Sequence, residues 1–167
     1  MHGKKIAQYF DEILDQAMFH GFTDDLRDYD VFIHTTADPR TGIPQEHLRY
    51  RFTHCVRATV TTALTPETWQ RSLDERLIDY AQGVDLDGYV WGVRWQQLYP
   101  GARLMPDSAE AAKWRAALGI SFYEAEILTN GHNIGLVFSD LSVQRVEQGH
   151  TPFVVPDSGP DGKIPFP

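Results

Sequence analysis

The sequence predicts a single α+β domain, with about three helices packed on a mostly antiparallel, five-stranded sheet and an extended, proline-rich C-terminal tail. Apolar residues recur at three- and four-residue steps in some segments, which is typical of helices, and at every second residue in others, which is typical of strands. Asn130-Gly131 separates two of the alternating segments, as in a tight hairpin. A chain of 167 residues, with 42% apolar and 23% charged residues, suits one globular domain.

Three segments have the spacing of helices. The first covers residues 6–18, the second lies within 64–83 and begins at Pro66, and the third lies within 106–119. Proline is tolerated in the first turn of a helix, and Asp107 or Ser108 can cap the free amides of the third. A glycine follows each segment as a natural stop. These glycines are Gly21, Gly83 and Gly119.

Five segments alternate in the manner of strands. In chain order they are "DYDVFIHTT", "LRYRFTHCVRATV", "GYVWGVRW", "FYEAEILT" and "HNIGLVF". The second is unusually long, and its alternation places His54 on the apolar side and Cys55 on the polar side. Prolines are frequent after residue 151. We therefore predict one domain, residues 1–151, followed by a Pro/Gly-rich tail, residues 152–167.

The composition argues against several classes of partner. The formal net charge is −8 and the pI is near 5.2, whereas binding a polyphosphate backbone requires a basic surface. No apolar run approaches the roughly 20 residues that a membrane span needs, and acids interrupt the N-terminal run before a signal sequence forms. The single cysteine cannot form an internal disulfide. We expect a cytoplasmic protein with neither nucleic acid nor a membrane as partner.

Sequence motifs for metals and cofactors are missing. The seven histidines form no His-x-His or His-Glu-x-x-His array, and one cysteine excludes a thiolate cluster. The stretch "DLDG" at 85–88 lacks the closing glutamate of a calcium loop. A phosphate loop, a dinucleotide glycine pattern and a Gly-x-Ser-x-Gly elbow are absent as well. The prediction is therefore no metal and no cofactor.

His54 has two interpretations. We favour an internal anchor whose ring is hydrogen-bonded, because a buried polar group needs a partner. The alternative is a small hydrolase in which His54 acts with His34 or His132 and a carboxylate. His34 and His54 can also meet near Asp30 and supply three metal ligands, if the strand register allows it. Cys55 does not activate His54, because neighbouring side chains of a strand point to opposite faces.

A basic ridge follows the second strand. It consists of Arg49, Arg51 and Arg57, in a chain that is acidic overall. Asp28 and Asp30 on the preceding strand are suitable partners across the sheet. The pattern predicts a solvated face of ion pairs.

An aromatic row follows the third predicted strand, with Tyr89, Trp91 and Trp95 on one side. Large aromatic residues at this spacing usually belong to a core. The same row can instead form the floor of a small-ligand pocket at Trp91 and Trp95. Both interpretations remain open from the sequence.

The stretches "DLDGYVWGVRWQQLYPGARLMPDS", "NGHNIGLVFSDL" and "DPRTGIPQEHLRYRFTHC" resemble the YxiG-like proteins, a group of small bacterial proteins. The likeness covers most of residues 6 to 155. No catalytic or binding residues carry over from this resemblance, but related proteins are discussed beside bacterial toxin–immunity loci, which favours a binding role. Because the chain is acidic and has no recognisable reactive constellation, we predict a non-catalytic, immunity-like module that binds a basic protein through acidic residues. The candidates are Asp11, Glu12, Asp15, Asp24, Asp25 and Asp28.

Overall fold

A computed structural model describes residues 2–11, 16–23, 25–35, 39–40, 42, 44–72, 96–147 and 150. Its helices are α1 (His2–Asp11), α2 (Pro66–Ser72) and α3 (Ala109–Leu118). The strands of these ranges are β1 (Gln16–Phe22), β2 (Tyr29–His34), β3 (His47–Thr53), β4 (Arg57–Thr62), β5 (Gln96–Leu104), β6 (Tyr123–Thr129), β7 (His132–Phe138) and β8 (Asp140–Arg145).

The strands form two four-stranded antiparallel sheets. One sheet has the order β1-β2-β3-β8 and the other has the order β5-β6-β7-β4. A short pairing between β1 and β5, at Gln16 with Gln97 and Ala17 with Gln96, joins them. The chain joins them again, because β3 leads directly into β4 and β7 leads directly into β8. We call the continuous segments β3–β4 and β7–β8 the two long strands. They pair with each other along both sheets, and they cross side by side from one sheet to the other.

The crossing point is a pair of corners at His54 and Ser139. His54 has a left-handed backbone, with φ 48°, which interrupts the alternation of the long strand. Ser139 donates its amide to Thr53 O, and Val56 donates its amide to Val137 O, so the pairing resumes after a one-residue bulge. The bulge reverses the expected orientation of Cys55, which is buried instead of lying on the polar side.

Both sheets contribute to one hydrophobic core. Alternate residues of β2, β3, β6, β7 and β8 point into it, as the period of two requires for sheets with one buried face. Phe52 and Phe138, both fully buried, meet edge to face with their ring centroids 4.8 Å apart. Ile6 and Phe10 of α1 complete the core. On the opposite side of β7, Ala111 of α3 packs with Phe122 and Val137 in a smaller cluster.

The predicted five-stranded sheet with about three packed helices is wrong. The long second strand is two strands, β1 replaces the end of the first predicted helix, and residues 140–145 form β8. Of the described helices, α1 and α3 pack on the sheets. The caps of α3 are confirmed: Ser108 Oγ accepts the amide of Ala111, and Gly119 is left-handed with φ 72°.

Several predicted features lie outside the described residues. They are the second half of the second helix, the third strand and the C-terminal tail. The single domain and its boundary at residue 151 remain predictions. Within the ranges that the structure describes, no helix combines the length and the apolar character needed to cross a bilayer.

Candidate functional site

A chain of titratable side chains lies between the two sheets. His20 of β1 and His132 of β7 belong to different sheets, and their Nε2 and Nδ1 atoms are 3.3 Å apart. The other ring nitrogen of His20, Nδ1, is 2.8 Å from the hydroxyl oxygen of Tyr29. We call His20 and His132 the inner pair. Tyr29, His20 and His132 thus form a continuous hydrogen-bonded chain.

The strand geometry holds this chain in place. His20 is opposite Val31 in the β1–β2 ladder, and Tyr29 is opposite Phe22. His132 begins β7 directly after the two-residue turn Asn130-Gly131, as the hairpin prediction requires. The buried hydroxyl of Thr129 fixes that turn: it accepts the amides of Gly131 and His132 and donates to His132 O. His132 therefore enters the site from a backbone with little freedom.

Burial keeps the inner pair neutral. Desolvation, with the proximity of His132 as a second cause, lowers the pKa of His20 to about 4. Desolvation also lowers the pKa of His132. It raises the pKa of Tyr29 to about 12, with the Cys55 thiol adding to the shift. At neutral pH the chain consists of two neutral imidazoles and a phenol.

Cys55 does not fit the role of a nucleophile. It is a free thiol, 6% exposed, and its Sγ donates to Arg57 O at 3.3 Å. Desolvation by burial raises its pKa to about 11, so the thiolate that a nucleophile requires is scarce at neutral pH. Cys55 is a packing residue of the core.

His54 is exposed, so the prediction of an internal residue is wrong. Its hydrogen bonds are nevertheless structural. The hydroxyl of Ser139 donates to Thr53 O, so His54 Nδ1–H donates to Ser139 Oγ at 2.8 Å. The amide of His54 donates to Asp28 Oδ1 at 3.0 Å. His54 therefore ties the corner of one long strand to the corner of the other.

The three histidines of the predicted hydrolase are far apart. His34 ends β2, roughly 20 Å from the corner at His54 for a strand of this length. His132 lies at the far end of β7 from Ser139, at a similar distance. The predicted metal set of His34, His54 and Asp30 does not form either. Among the described residues, no three His, Cys, Asp or Glu side chains converge on one position for an ion.

His34 instead pairs with His47, directly opposite on β3. Their Nδ1 atoms are 3.3 Å apart and their rings are nearly perpendicular. The side-chain amide of Gln45 bonds to His34 Nε2. We call His34 and His47 the outer pair, because it lies within one sheet at the end of two strands.

The predicted acidic binding residues do not form a described patch. Asp25 caps its own loop by accepting from Thr23 and from the amide of Arg27, and these bonds lower its pKa. Asp28 holds the His54 corner. Asp11 ends α1, but its side chain lies outside the described part of the chain, as do Glu12, Asp15, Asp24, Trp91 and Trp95.

Of the ion pairs predicted at the basic ridge, the structure shows the one between Arg51 and Asp30, and Asp30 is buried instead of solvated. Arg51 donates from Nε and a terminal nitrogen to the two carboxylate oxygens of Asp30, each at 2.9 Å. Arg57 pairs with Glu124, and Arg49 donates to Gln144. Glu124 also accepts from Ser108. These arginines are therefore engaged within the fold.

The edge of β4 is a second candidate surface. In the ranges described, β7 is its strand partner and no strand pairs with its other side. Ala63 donates its amide to Gly131 O, and ladder bonds alternate along an antiparallel pair. The amides and carbonyls of Ala58, Val60 and Thr62 therefore point to the open side. We call these backbone groups the β4 edge.

The model of the YxiG-like protein family matches residues 2–156. The chain belongs to this family. A comparison with curated proteins found no match. The resemblance seen in the sequence is thus confirmed over most of its length, including both long strands and the inner pair.

Sequence reasoning proposed His132 but missed His20, its actual partner. His20 follows a segment with helical spacing, which hides the strand. The weak signal for a strand is the aromatic sequence "FHGF" at residues 19–22, since aromatic residues favour strands.

Proposed function

We propose that this protein is a non-catalytic module that binds another protein, and that the β4 edge accepts an extended segment of that partner. The observation that carries the proposal is the character of this edge. From Ala58 to Leu64 the chain has no charged residue and no proline, and it contains three threonines and a valine. Proteins usually protect an edge strand with lysine, proline or a bulge.

The exposure of β4 agrees with such a role. Thr59, Val60, Thr61 and Thr62 are all exposed, and Val60 as a residue is 41% exposed. An added strand gains main-chain hydrogen bonds to the β4 edge, while side chains on alternate positions determine its specificity.

A groove beside this edge can receive side chains of the partner. It has a volume of about 350 Å³ and lies over β4, β7 and β6. Gly135 lines this groove, and an added Cβ there would have only Thr59 Cβ nearby, at 4.0 Å. Its polar lining includes Arg57, Glu126 and Asn133. The groove therefore suits a polar side chain that can both donate and accept.

The preference for a basic partner rests on charge outside this surface. The described ranges hold as many acidic as basic residues, so the whole excess of −8 belongs to other parts of the sequence. Those parts include Glu12, Asp15 and Asp24. An acidic chain attracts a basic toxin-like domain at long range, and salt screens that attraction. We also keep the cytoplasm as the proposed location.

The test compares Val60→Lys with Val60→Thr in the native host. The lysine places a charge on the edge, while the threonine keeps a β-branched side chain. We expect one protein to co-purify with the wild type and with Val60→Thr, and to be lost with Val60→Lys. Amide exchange of Ala58, Val60 and Thr62 should slow in the isolated complex.

Two results would contradict the proposal. One is a set of co-purifying proteins that is the same for Val60→Lys as for the wild type. The other is a complex in which the exchange of these three amides is unchanged. Loss of the complex at high salt, with rapid binding at low salt, would specifically support a basic partner.

A further inference from the structure

We propose that the groove lined by Gly135 receives an arginine side chain of the partner segment, and that Glu126 accepts hydrogen bonds from its guanidinium group. The inference rests on the proposed function, because the arginine belongs to the strand that the β4 edge binds. Glu126, Gly135 and Thr59 form one row across β6, β7 and β4, since Gly135 is directly opposite both of the others. Side chains of directly opposite residues stand on the same face of a sheet. The row therefore extends from the β4 edge to the carboxylate of Glu126.

Gly135 leaves a gap in the middle of this row, and the fold does not require a glycine there. The ladders on both sides of β7 continue through Gly135 in regular register, and its φ lies outside the left-handed region. An added Cβ would meet Thr59 Cβ at 4.0 Å, which is an ordinary van der Waals contact. A glycine inside a strand weakens it and often marks a position that a ligand approaches closely. Close approach of a partner's side chain to β7 explains the glycine where packing does not.

The neighbouring row contains an arginine that crosses β7 in the same way. Arg57 of β4 and Glu124 of β6 are both opposite Val137, and they form an ion pair across it. In the row of Gly135 the residue on β4 is Thr59, whose side chain is too short to reach β6. An arginine on an added strand starts one strand further away than Arg57, but it crosses a glycine where Arg57 crosses a valine.

The distance between the added strand and β6 suits an arginine. The partner residue opposite Thr59 has its Cα roughly 14 Å from that of Glu126, because the two are three strand spacings apart. An extended arginine and an extended glutamate cover about 12 Å together, and the hydrogen bond between them adds about 3 Å. Glutamine is too short for this span. Lysine just reaches, but it offers a single nitrogen where the guanidinium group offers a fork of donors.

The charges of the groove also select a cation. Arg57, the charged donor of the lining, is bound to Glu124, so acceptors remain for an incoming side chain. Arg103 donates to Glu126 from Nε and Nη2, but both nitrogens contact the same oxygen, Oε2. No residue within the described ranges donates to Oε1. A guanidinium group is a donor without acceptors and pairs closely with carboxylates, so Oε1 is a suitable partner for it.

The experiment screens a displayed library of short randomised peptides against the full-length protein and its variants. The variants are Val60→Lys, Glu126→Gln and Glu147→Gln. Glu147→Gln is the matched control, because it removes the same charge from an exposed position beyond the end of β8. We expect the wild type and this control to enrich extended peptides with arginine at one fixed position. Glu126→Gln should enrich extended peptides without that preference, and Val60→Lys should enrich neither.

A double-mutant cycle then measures the contact itself. One enriched peptide and its glutamine counterpart are titrated against the wild type and Glu126→Gln. The wild type should bind the arginine peptide about tenfold more tightly than the glutamine peptide, and Glu126→Gln should bind the two equally. Gly135→Val should lose the arginine preference without a fall in Tm, because it fills the gap with a side chain that suits a strand.

The outcomes separate this inference from the proposed function. Peptides that bind the wild type, are lost with Val60→Lys and show no arginine preference would overturn the inference alone. The same conclusion follows if the arginine preference persists in Glu126→Gln, or if Glu147→Gln abolishes it equally. A library without any peptide that is sensitive to Val60→Lys would overturn both.

Discussion

The inner and outer pairs contain the same contact in two different settings. In each, two imidazole nitrogens are 3.3 Å apart and the rings are nearly perpendicular. The outer pair joins neighbouring strands of one sheet, from residues 13 positions apart, and has Gln45 as its further contact. The inner pair joins two sheets, from residues 112 positions apart, and is backed by a buried tyrosine.

The difference shows that distance alone does not determine what a histidine pair does. The ladder between β2 and β3 already holds His34 opposite His47, so their contact adds little to the fold. The inner pair lies where side chains of the two sheets meet, and burial lowers the pKa of both of its histidines. We therefore expect changes at the inner pair to affect stability and acid sensitivity, and changes at the outer pair to affect neither.

The largest expected effect on stability follows from truncating Tyr29, whose hydroxyl is hydrogen-bonded to His20 of the inner pair. Tyr29→Ala removes a ring that is 3% exposed and packs edge to face with Phe22. Truncating a buried aromatic residue costs about 3–5 kcal/mol of unfolding free energy. Urea denaturation measures it. The matched change at the outer pair, Gln45→Ala, should stay within about 0.5 kcal/mol; similar losses at the two positions would refute the comparison.

Acid sensitivity is the next effect. The pKa of His20 is about 4 in the folded protein and 6.5 in the reference state, so the unfolded chain binds more protons between these values. Stability therefore falls as pH decreases from 6.5 towards 4. After allowance for screening by solvent around the ring, the loss is about 2 kcal/mol. Denaturation midpoints across this pH range check the prediction.

His20→Gln serves as the control for acid sensitivity, because it removes the titrating ring while keeping an amide. Its stability should change less over the same range than that of the wild type. His34→Gln should keep the full dependence. If both variants retain the wild-type profile, another group is responsible.

A smaller effect is expected from Tyr29→Phe, which removes only the hydroxyl. The change deletes the hydrogen bond to His20 Nδ1 while the ring remains. The expected loss is about 1 kcal/mol, the usual net value of one buried hydrogen bond. Denaturation at pH 7 measures it. A loss as large as that of Tyr29→Ala would mean that the ring packing contributes nothing, contrary to its burial.

The smallest effect belongs to the outer pair itself. His47→Gln should change the unfolding free energy by about 0.5 kcal/mol or less, because the ladder keeps the strands aligned. Thermal unfolding against the wild type tests this. A loss above about 2 kcal/mol would show that the outer pair has a structural role comparable to that of the inner pair.

Much of the sheet was predictable from alternation. The inward residues Tyr29, Val31 and Ile33 are buried as expected, and the hairpin at Asn130-Gly131 is placed correctly. The break at His54 was not predictable, because a histidine with positive φ has no distinct sequence signature and the alternation appears continuous on both sides. That one corner turns a single predicted strand into two and buries Cys55.

The candidate site was harder to predict from the sequence than the sheets, because it depends on tertiary structure. His20 and His132 come together only because β1 and the β6–β7 hairpin lie on facing sheets. Spacing along the chain contains no information about such a pair. The partnership of Asp30 and Arg51, in contrast, followed from two neighbouring strands and is confirmed.

The pairing of the two long strands has a consequence for synthesis on the ribosome. Leu48 has Arg145 as its partner, and Thr62 has His132, so β3 and β4 cannot complete their ladders until β7 and β8 have emerged. Contacts between such distant segments form slowly because a long chain loses entropy when they close. We expect the nascent chain to stay incompletely folded until β8 has left the exit tunnel, and then to complete both sheets together.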